Sequence, residues 1–207
     1  EFIALVGGSG AGKSTLLRLL LGFEQAESGA IYFDNQDMYS YDLASIRRQL
    51  GVVLQNDTVL QGTILSNIVG SSGKNIDDAW IAAKKVGFDK DIEEMPMGMH
   101  TMVQSNATTL SGGQKQRLII ARAIVRNPSV LFFDEATSAL DNKTQAIVSK
   151  SLDDMNVTRV VVAHRLSTII NADRIYAFKD GEVVECGTYE ELMARNGYFA
   201  ELAKRQI

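Results

Sequence analysis

The sequence predicts an α/β fold in which a mainly parallel sheet is buried between helices, with an antiparallel portion and an inserted helical subdomain. Three observations carry this. Residues 2–6, 52–54, 130–133 and 160–163 are continuous apolar runs without the alternation of a half-solvated strand. Such runs suit strands covered on both faces, as parallel sheets require. Between them lie helical patterns with start and stop signals. Finally, Asp180-Gly181 separates two short β-prone runs, 175–178 and 182–184, and signals a tight hairpin.

Taken in order, the first strand pattern leads into an amphipathic stretch at 16–21. Asp42 opens a helix over 43–48, and the 52–54 strand follows. Residues from about 56 to 110 differ in character. They hold helical segments at 63–68 and 77–86, then the loop-like Met95-Pro-Met-Gly-Met99, and no buried strand pattern. This region is expected to be a helical subdomain inserted into the sheet domain, with the helix after Ser111 returning the chain to the core. Asn142 opens a helix through Leu152, and Thr188 with Glu191 forms a capping box for a helix that Asn196-Gly197 ends. There is no low-complexity segment and no internal repeat.

Composition narrows the function classes. A formal net charge of −4 gives no electrostatic footprint for nucleic acid. Arg117, Arg122 and Arg126 share one helix and read as a solvated face. The single cysteine, Cys186, excludes an internal disulfide and reads, with Trp80, as packing. No run approaches the roughly 18 apolar residues of a membrane span. The first residue, Glu1, stands inside a strand pattern, so the chain reads as an N-terminally truncated piece of a longer polypeptide, one domain over residues 1–207.

Chemistry enters with Gly7-Gly8-Ser9-Gly10-Ala11-Gly12-Lys13-Ser14-Thr15, a complete Walker A pattern set between a strand and a helix. Glycines let successive N–H groups curl around one anion, and the helix N-terminus adds partial positive charge. Lys13 can then reach the terminal phosphates of a nucleoside triphosphate, and the Ser14 hydroxyl suits Mg²⁺. This makes the fold a P-loop NTPase core. Downstream, four apolar residues end in Asp134-Glu135, so a buried strand delivers two carboxylates at its C-terminal edge. Asp134 is the expected direct or indirect Mg²⁺ partner, and Glu135 the group that orients the attacking water and accepts its proton.

Leu110-Ser111-Gly112-Gly113-Gln114 also admits a plain reading, since Ser111 and Gln114 have capping-box spacing. Two glycines opening a helix cost stability, up to about 1 kcal/mol each against alanine. They make sense where exposed N–H groups approach an anion. Followed by Gln116-Arg117, the segment resembles the signature of ATP-binding cassette (ABC) nucleotide-binding domains. Further family motifs stand in order: Gln55 resembles the Q-loop glutamine, Ser138-Ala-Leu-Asp141 the D-loop, and His164 the switch histidine. The segments Gly62-Thr-Ile64 with Asn67-Ile68, His164-Arg-Leu-Ser-Thr168 and Glu185-Cys-Gly-Thr188 resemble exporters, with a flavour of bacterial peptide or bacteriocin exporters.

The resemblance implies ATP and Mg²⁺ as ligands, with catalytic Glu135 and His164, and Gln55 touching Mg²⁺ or water. It implies a second nucleotide-binding domain paired head to tail, each ATP held between the 7–15 loop of one copy and Ser111–Gln114 of the other. It also implies fused or associated transmembrane domains and a place on the cytoplasmic face of the cell membrane. The alternatives are a nucleotide-switched dimerisation module with little hydrolysis, or a non-transport ABC ATPase. Two features depart from the family. The adenine-stacking aromatic residue belongs to strands upstream of Glu1, and Gln104-Ser105 stands where exporters tend to carry a Gly-Glu pair. His100 reads as a surface residue. Met95, Met97, Met99 and Met102 read either as core filler or as a surface for a partner helix.

Overall fold

The structure, a computed structural model, describes residues 1–104, 110–134, 140–163 and 166–204. In chain order its first elements are β1 (Phe2–Gly7), α1 (Lys13–Leu20), β2 (Tyr32–Phe33), β3 (Gln36–Asp37), α2 (Leu43–Arg48), β4 (Leu50–Val53), β5 (Gly62–Thr63), α3 (Ile64–Val69), α4 (Ile76–Lys85) and α5 (Asp89–Glu94). They are followed by β6 (Met102–Val103), α6 (Gly112–Ile124), β7 (Val130–Asp134), α7 (Asn142–Asp154), β8 (Thr158–Val162), β9 (Arg174–Lys179), β10 (Glu182–Gly187), α8 (Tyr189–Arg195) and α9 (Tyr198–Lys204). The central sheet is mixed and mainly parallel, as the apolar runs predict. Among the described residues, no helix is long and apolar enough to cross a membrane.

The chain forms two compact units. The first comprises Glu1–Arg48, the end of β7 and the chain from Thr158 on. Its strands run in the order β10-β9-β1-β8-β7. β1 lies parallel to both β8 and β9, with Leu5 opposite Val162 and Tyr176, and β10 returns antiparallel on β9. Asp180 and Gly181 make that hairpin with φ of 50° and 87°, the left-handed pair a two-residue turn needs. Ala4, Val6, Ile175 and Ala177 form one face of the core, and Leu192 of α8 and Phe199 of α9 close over it. The capping box of Thr188 and Glu191 and the left-handed Asn196 bound α8 as expected.

The second unit spans residues 49–131 and the segment up to Val157. It is built on α6, whose Leu118, Ile120, Ala121 and Ile124 are buried. α3, with Ile64 and Ile68 buried, and α4, with Ala79, Ala82 and Ala83 buried, both pack on α6. β4 also packs on α6, and Gly51 explains how closely. A Cβ there would stand 2.6 Å from the Ala123 carbonyl oxygen and 2.9 Å from the Pro128 ring. The start of β7 lies beside β4 in this unit.

Several local expectations change. The cap of α7 is Asp141 rather than Asn142: Asp141 has extended dihedrals and its carboxylate accepts the Thr144 N–H at 3.0 Å. A two-stranded β5–β6 ladder, with Val103 buried, stands where the sequence shows no strand pattern, because two residues leave no periodicity to see. The β2–β3 ladder escapes sequence reasoning for the same reason, and α5 because no side-chain cap marks its start.

Candidate functional site

In the first unit, β1 delivers the chain into the 7–15 loop with its centre buried. Gly7 is required twice over: its φ is 154°, and a Cβ would collide with the Phe178 carbonyl oxygen. Gly10 and Gly12 take φ of 77° and 96°, a left-handed path open to glycine. The hairpin tip supports the loop, with the Gly181 N–H donating to the Ala11 carbonyl at 3.3 Å. From α9, the Tyr198 hydroxyl accepts the Gly8 N–H at 3.4 Å.

The helix that follows begins unlike others in the chain. α4, α6 and α8 each open with a full capping box. α1 opens on Gly12 with no side-chain cap and no acidic residue in its first turn. Its first residue is a lysine, only 6% exposed. A positive charge at a helix N-terminus opposes the macrodipole, and Gly12 brings no side chain to cap the first N–H groups. Both features are stabilised together by an anion. The Lys13 ammonium donates to the Gly7 and Gly8 carbonyls at 2.8 and 2.9 Å, which holds it against the loop. Ser14 donates its hydroxyl to Asp134 Oδ2 at 3.1 Å, joining the loop to the end of β7. Asp134 is itself 6% exposed. A hydroxyl and a carboxylate side by side are hard oxygen donors, which fit Mg²⁺ completed by phosphate oxygens and water.

The other predicted residues that the structure describes lie in the second unit. Gln55 is exposed in the turn after β4, which Asp57 closes by accepting the Leu54 N–H at 2.8 Å. Leu110 is buried, Ser111 and Gly112 are exposed, and Gly113 and Gln114 are half-buried. The plain reading of this segment holds structurally, since Ser111 and Gln114 form both bonds of the capping box. Asp141 caps α7, and the Thr144 hydroxyl, with the Thr144 N–H adding to it, holds its carboxyl below the ordinary carboxylate range. Glu135, Ser138 and His164, like Ser105, lie outside the described residues. His100 is exposed, as expected. The methionines divide, with Met99 buried and Met97 and Met102 exposed.

Two of the three arginines, Arg117 and Arg122, are a correction. Arg122 donates to the Asn67 carbonyl at 2.8 Å, to Asn67 Oδ1 at 2.7 Å and to the Thr58 carbonyl at 3.2 Å. Burial lowers its pKa, and the nearby Asp57 charge opposes that shift. Arg117 pairs with Asp91 at 2.8 Å while only 13% exposed. These are internal fasteners, not a solvated face. Their partners lie 26 to 64 residues away along the chain, so helical spacing could not reveal them. Asn67 is a polar centre that sequence reasoning also misses. It is 1% exposed and bonds to Leu60 and Thr63 backbone as well as to Arg122.

Comparison with known proteins decides the family. The sequence profile of the ABC transporter family matches residues 1–138. The chain belongs to this family. It resembles ABC transporter B family member 2 of Dictyostelium discoideum, with 45% identity over 99% of this chain and 15% of that protein. An ATP-dependent lipid A-core flippase of Photobacterium profundum is 43% identical over 99% of this chain and 36% of its own length. Among solved structures, a bacterial Atm1-family ABC exporter with ATP bound superimposes with a TM-score of 0.95 at 39% identity, covering 99% of this chain and 36% of that one. The chain is thus an ABC transporter nucleotide-binding domain of exporter type. It spans about a sixth to about a third of the length of these relatives.

Proposed function

We propose that this ABC domain binds and hydrolyses ATP, powering transmembrane export through head-to-tail dimerisation. The supporting observation is the start of α1: an uncapped N-terminus carrying a buried lysine, with Ser14 bonded to Asp134. In this reading residues 7–15 wrap the phosphates, and Lys13 moves from the Gly7 and Gly8 carbonyls to the terminal phosphates. Ser14, Gln55 and Asp134 would hold Mg²⁺, which would supply positive charge to offset that of the phosphates. Glu135 accepts the proton of the attacking water, and His164 senses the γ-phosphate. Residues Leu110–Gln114 and Asp141 of a second copy complete the site.

The domain would therefore work at the cytoplasmic face of a membrane, joined to transmembrane domains, with the helical subdomain of about residues 56–110 inserted in the P-loop core. Likeness to a bacterial exporter that holds ATP supports this reading. Peptide or bacteriocin cargo rests only on the exporter-like segments quoted from the sequence. Glu135→Gln tests the chemistry. It should bind ATP normally, hydrolyse it at least about a hundredfold more slowly, and accumulate as an ATP-bound dimer in size-exclusion chromatography. A fast, monomeric variant would move the general base elsewhere, and a parent without phosphate release would make the domain a nucleotide-operated switch.

A further inference from the structure

The capping box at the start of α6 leaves one ambiguity that a neighbouring helix removes. Gln114 must present its amide oxygen, not its nitrogen, to the Ser111 N–H, and the two ends of an amide have nearly the same shape. The Ser111 N–H donates to Gln114 Oε1 at 2.9 Å. At the other end, Gln114 Nε2 donates to Asp91 Oδ1 of α5 at 2.8 Å. A carboxylate only accepts, so Asp91 fixes which way the amide points. The same carboxylate takes two bonds from Arg117, at 2.8 and 3.2 Å. Arg117 in turn donates to the Gly113 carbonyl at 3.3 Å and to the Gly87 carbonyl, and lies 5.4 Å over the Phe88 ring. Two side chains of α6 thus converge on Asp91, and both reach back into the 110–114 segment.

We infer that Asp91 is a positioning residue for the Ser111–Gln114 segment, acting through Gln114 and Arg117. With the amide fixed, Ser111 Oγ accepts the Gln114 N–H at 3.2 Å. A hydroxyl used as an acceptor keeps its proton to donate outward. Ser111 and Gly112 are exposed, so that donor lies at the surface of the unit beside the start of α6. An anion arriving from another molecule then meets donors already oriented, which is what stabilisation of a phosphate in the transition state requires. The inference rests on the proposed head-to-tail site, where this segment meets the ATP of a second copy.

The test separates binding from turnover. Asp91→Ala frees the Gln114 amide and unpairs Arg117 without touching the 7–15 loop. ATP affinity of the full chain, measured with a fluorescent ATP analogue, should stay within about twofold, while kcat falls about tenfold. Asp91→Glu should restore most of the turnover. Turnover within twofold of the parent in folded Asp91→Ala overturns the inference, as does an ATP affinity that falls in step with kcat. If Asp91→Ala does not fold, Asp91→Asn is read by the same criteria, and failure of both to fold makes Asp91 structural and overturns the inference. Ser111→Arg serves as the control for the site itself. If it keeps full hydrolysis, the head-to-tail reading fails. If it abolishes hydrolysis while Asp91→Ala is silent, only the role of Asp91 fails.

Discussion

At Lys13 and at Asn67 a buried polar side chain is retained for opposite reasons. Lys13 sits where a helix start disfavours a cation, held there by the Gly7 and Gly8 carbonyls, and in the proposed function a bound anion turns that position into an advantage. Asn67 has every polar atom engaged inside the second unit: its oxygen accepts from Leu60 and Arg122, and its amide donates to the Leu60 and Thr63 carbonyls. Removing it leaves several buried groups unpaired, each costing about 1–3 kcal/mol. Asn67→Ala should therefore lower stability by about 3 kcal/mol in urea unfolding while leaving ATP affinity of the folded chain unchanged. A loss under about 0.5 kcal/mol, the level of an ordinary surface substitution, would contradict the burial of this side chain. The place of Lys13 at the start of α1 is legible in the sequence because a loop pattern between strand and helix is local. The Asn67–Arg122 and Asp91–Arg117 pairs are not, since each joins positions distant along the chain.

Helix ends show how local signals translate into structure. Asp42, Thr188 and Ser111 cap where the sequence places them, because an Asx or hydroxyl cap is decided by its own next three residues. At α7 the sequence reading places the cap at Asn142, one residue too late: Asp141 can cap equally well, and its extended dihedrals select it. The carboxyl of Asp141 titrates below its unfolded value, mainly through the Thr144 hydroxyl. A depressed folded pKa stabilises fully above the unfolded pKa, about 3.9, and the stabilisation fades as pH falls through the folded value. The melting-temperature gap between parent and Asp141→Ala should therefore be constant from neutral pH to about pH 5 and shrink below about pH 4. A gap that widens in acid would show that the carboxylate is not the stabilising form. Unmarked elements escape the sequence: β5 and β6 carry too few residues for a period, and α5, which supplies Asp91, starts at Phe88 without a side-chain cap.

Across the molecule, the central sheet is legible because buried parallel strands write themselves as unbroken apolar runs, and the hairpin because Asp-Gly suits its left-handed turn. The division of labour between the two units is visible in the sequence only as an ordered series of motifs. The phosphate loop and Asp134 belong to the first, and Gln55, the Ser111–Gln114 segment and Asp141 to the second. The proposed reaction needs a second chain, because the signature of one copy serves the ATP of the other. Mixing Lys13→Ala with Ser111→Arg measures this. Each variant alone should release no phosphate. Their heterodimer carries both lesions in one site and none in the other, so activity should return on mixing. No phosphate release from heterodimers shown to form would contradict the shared site.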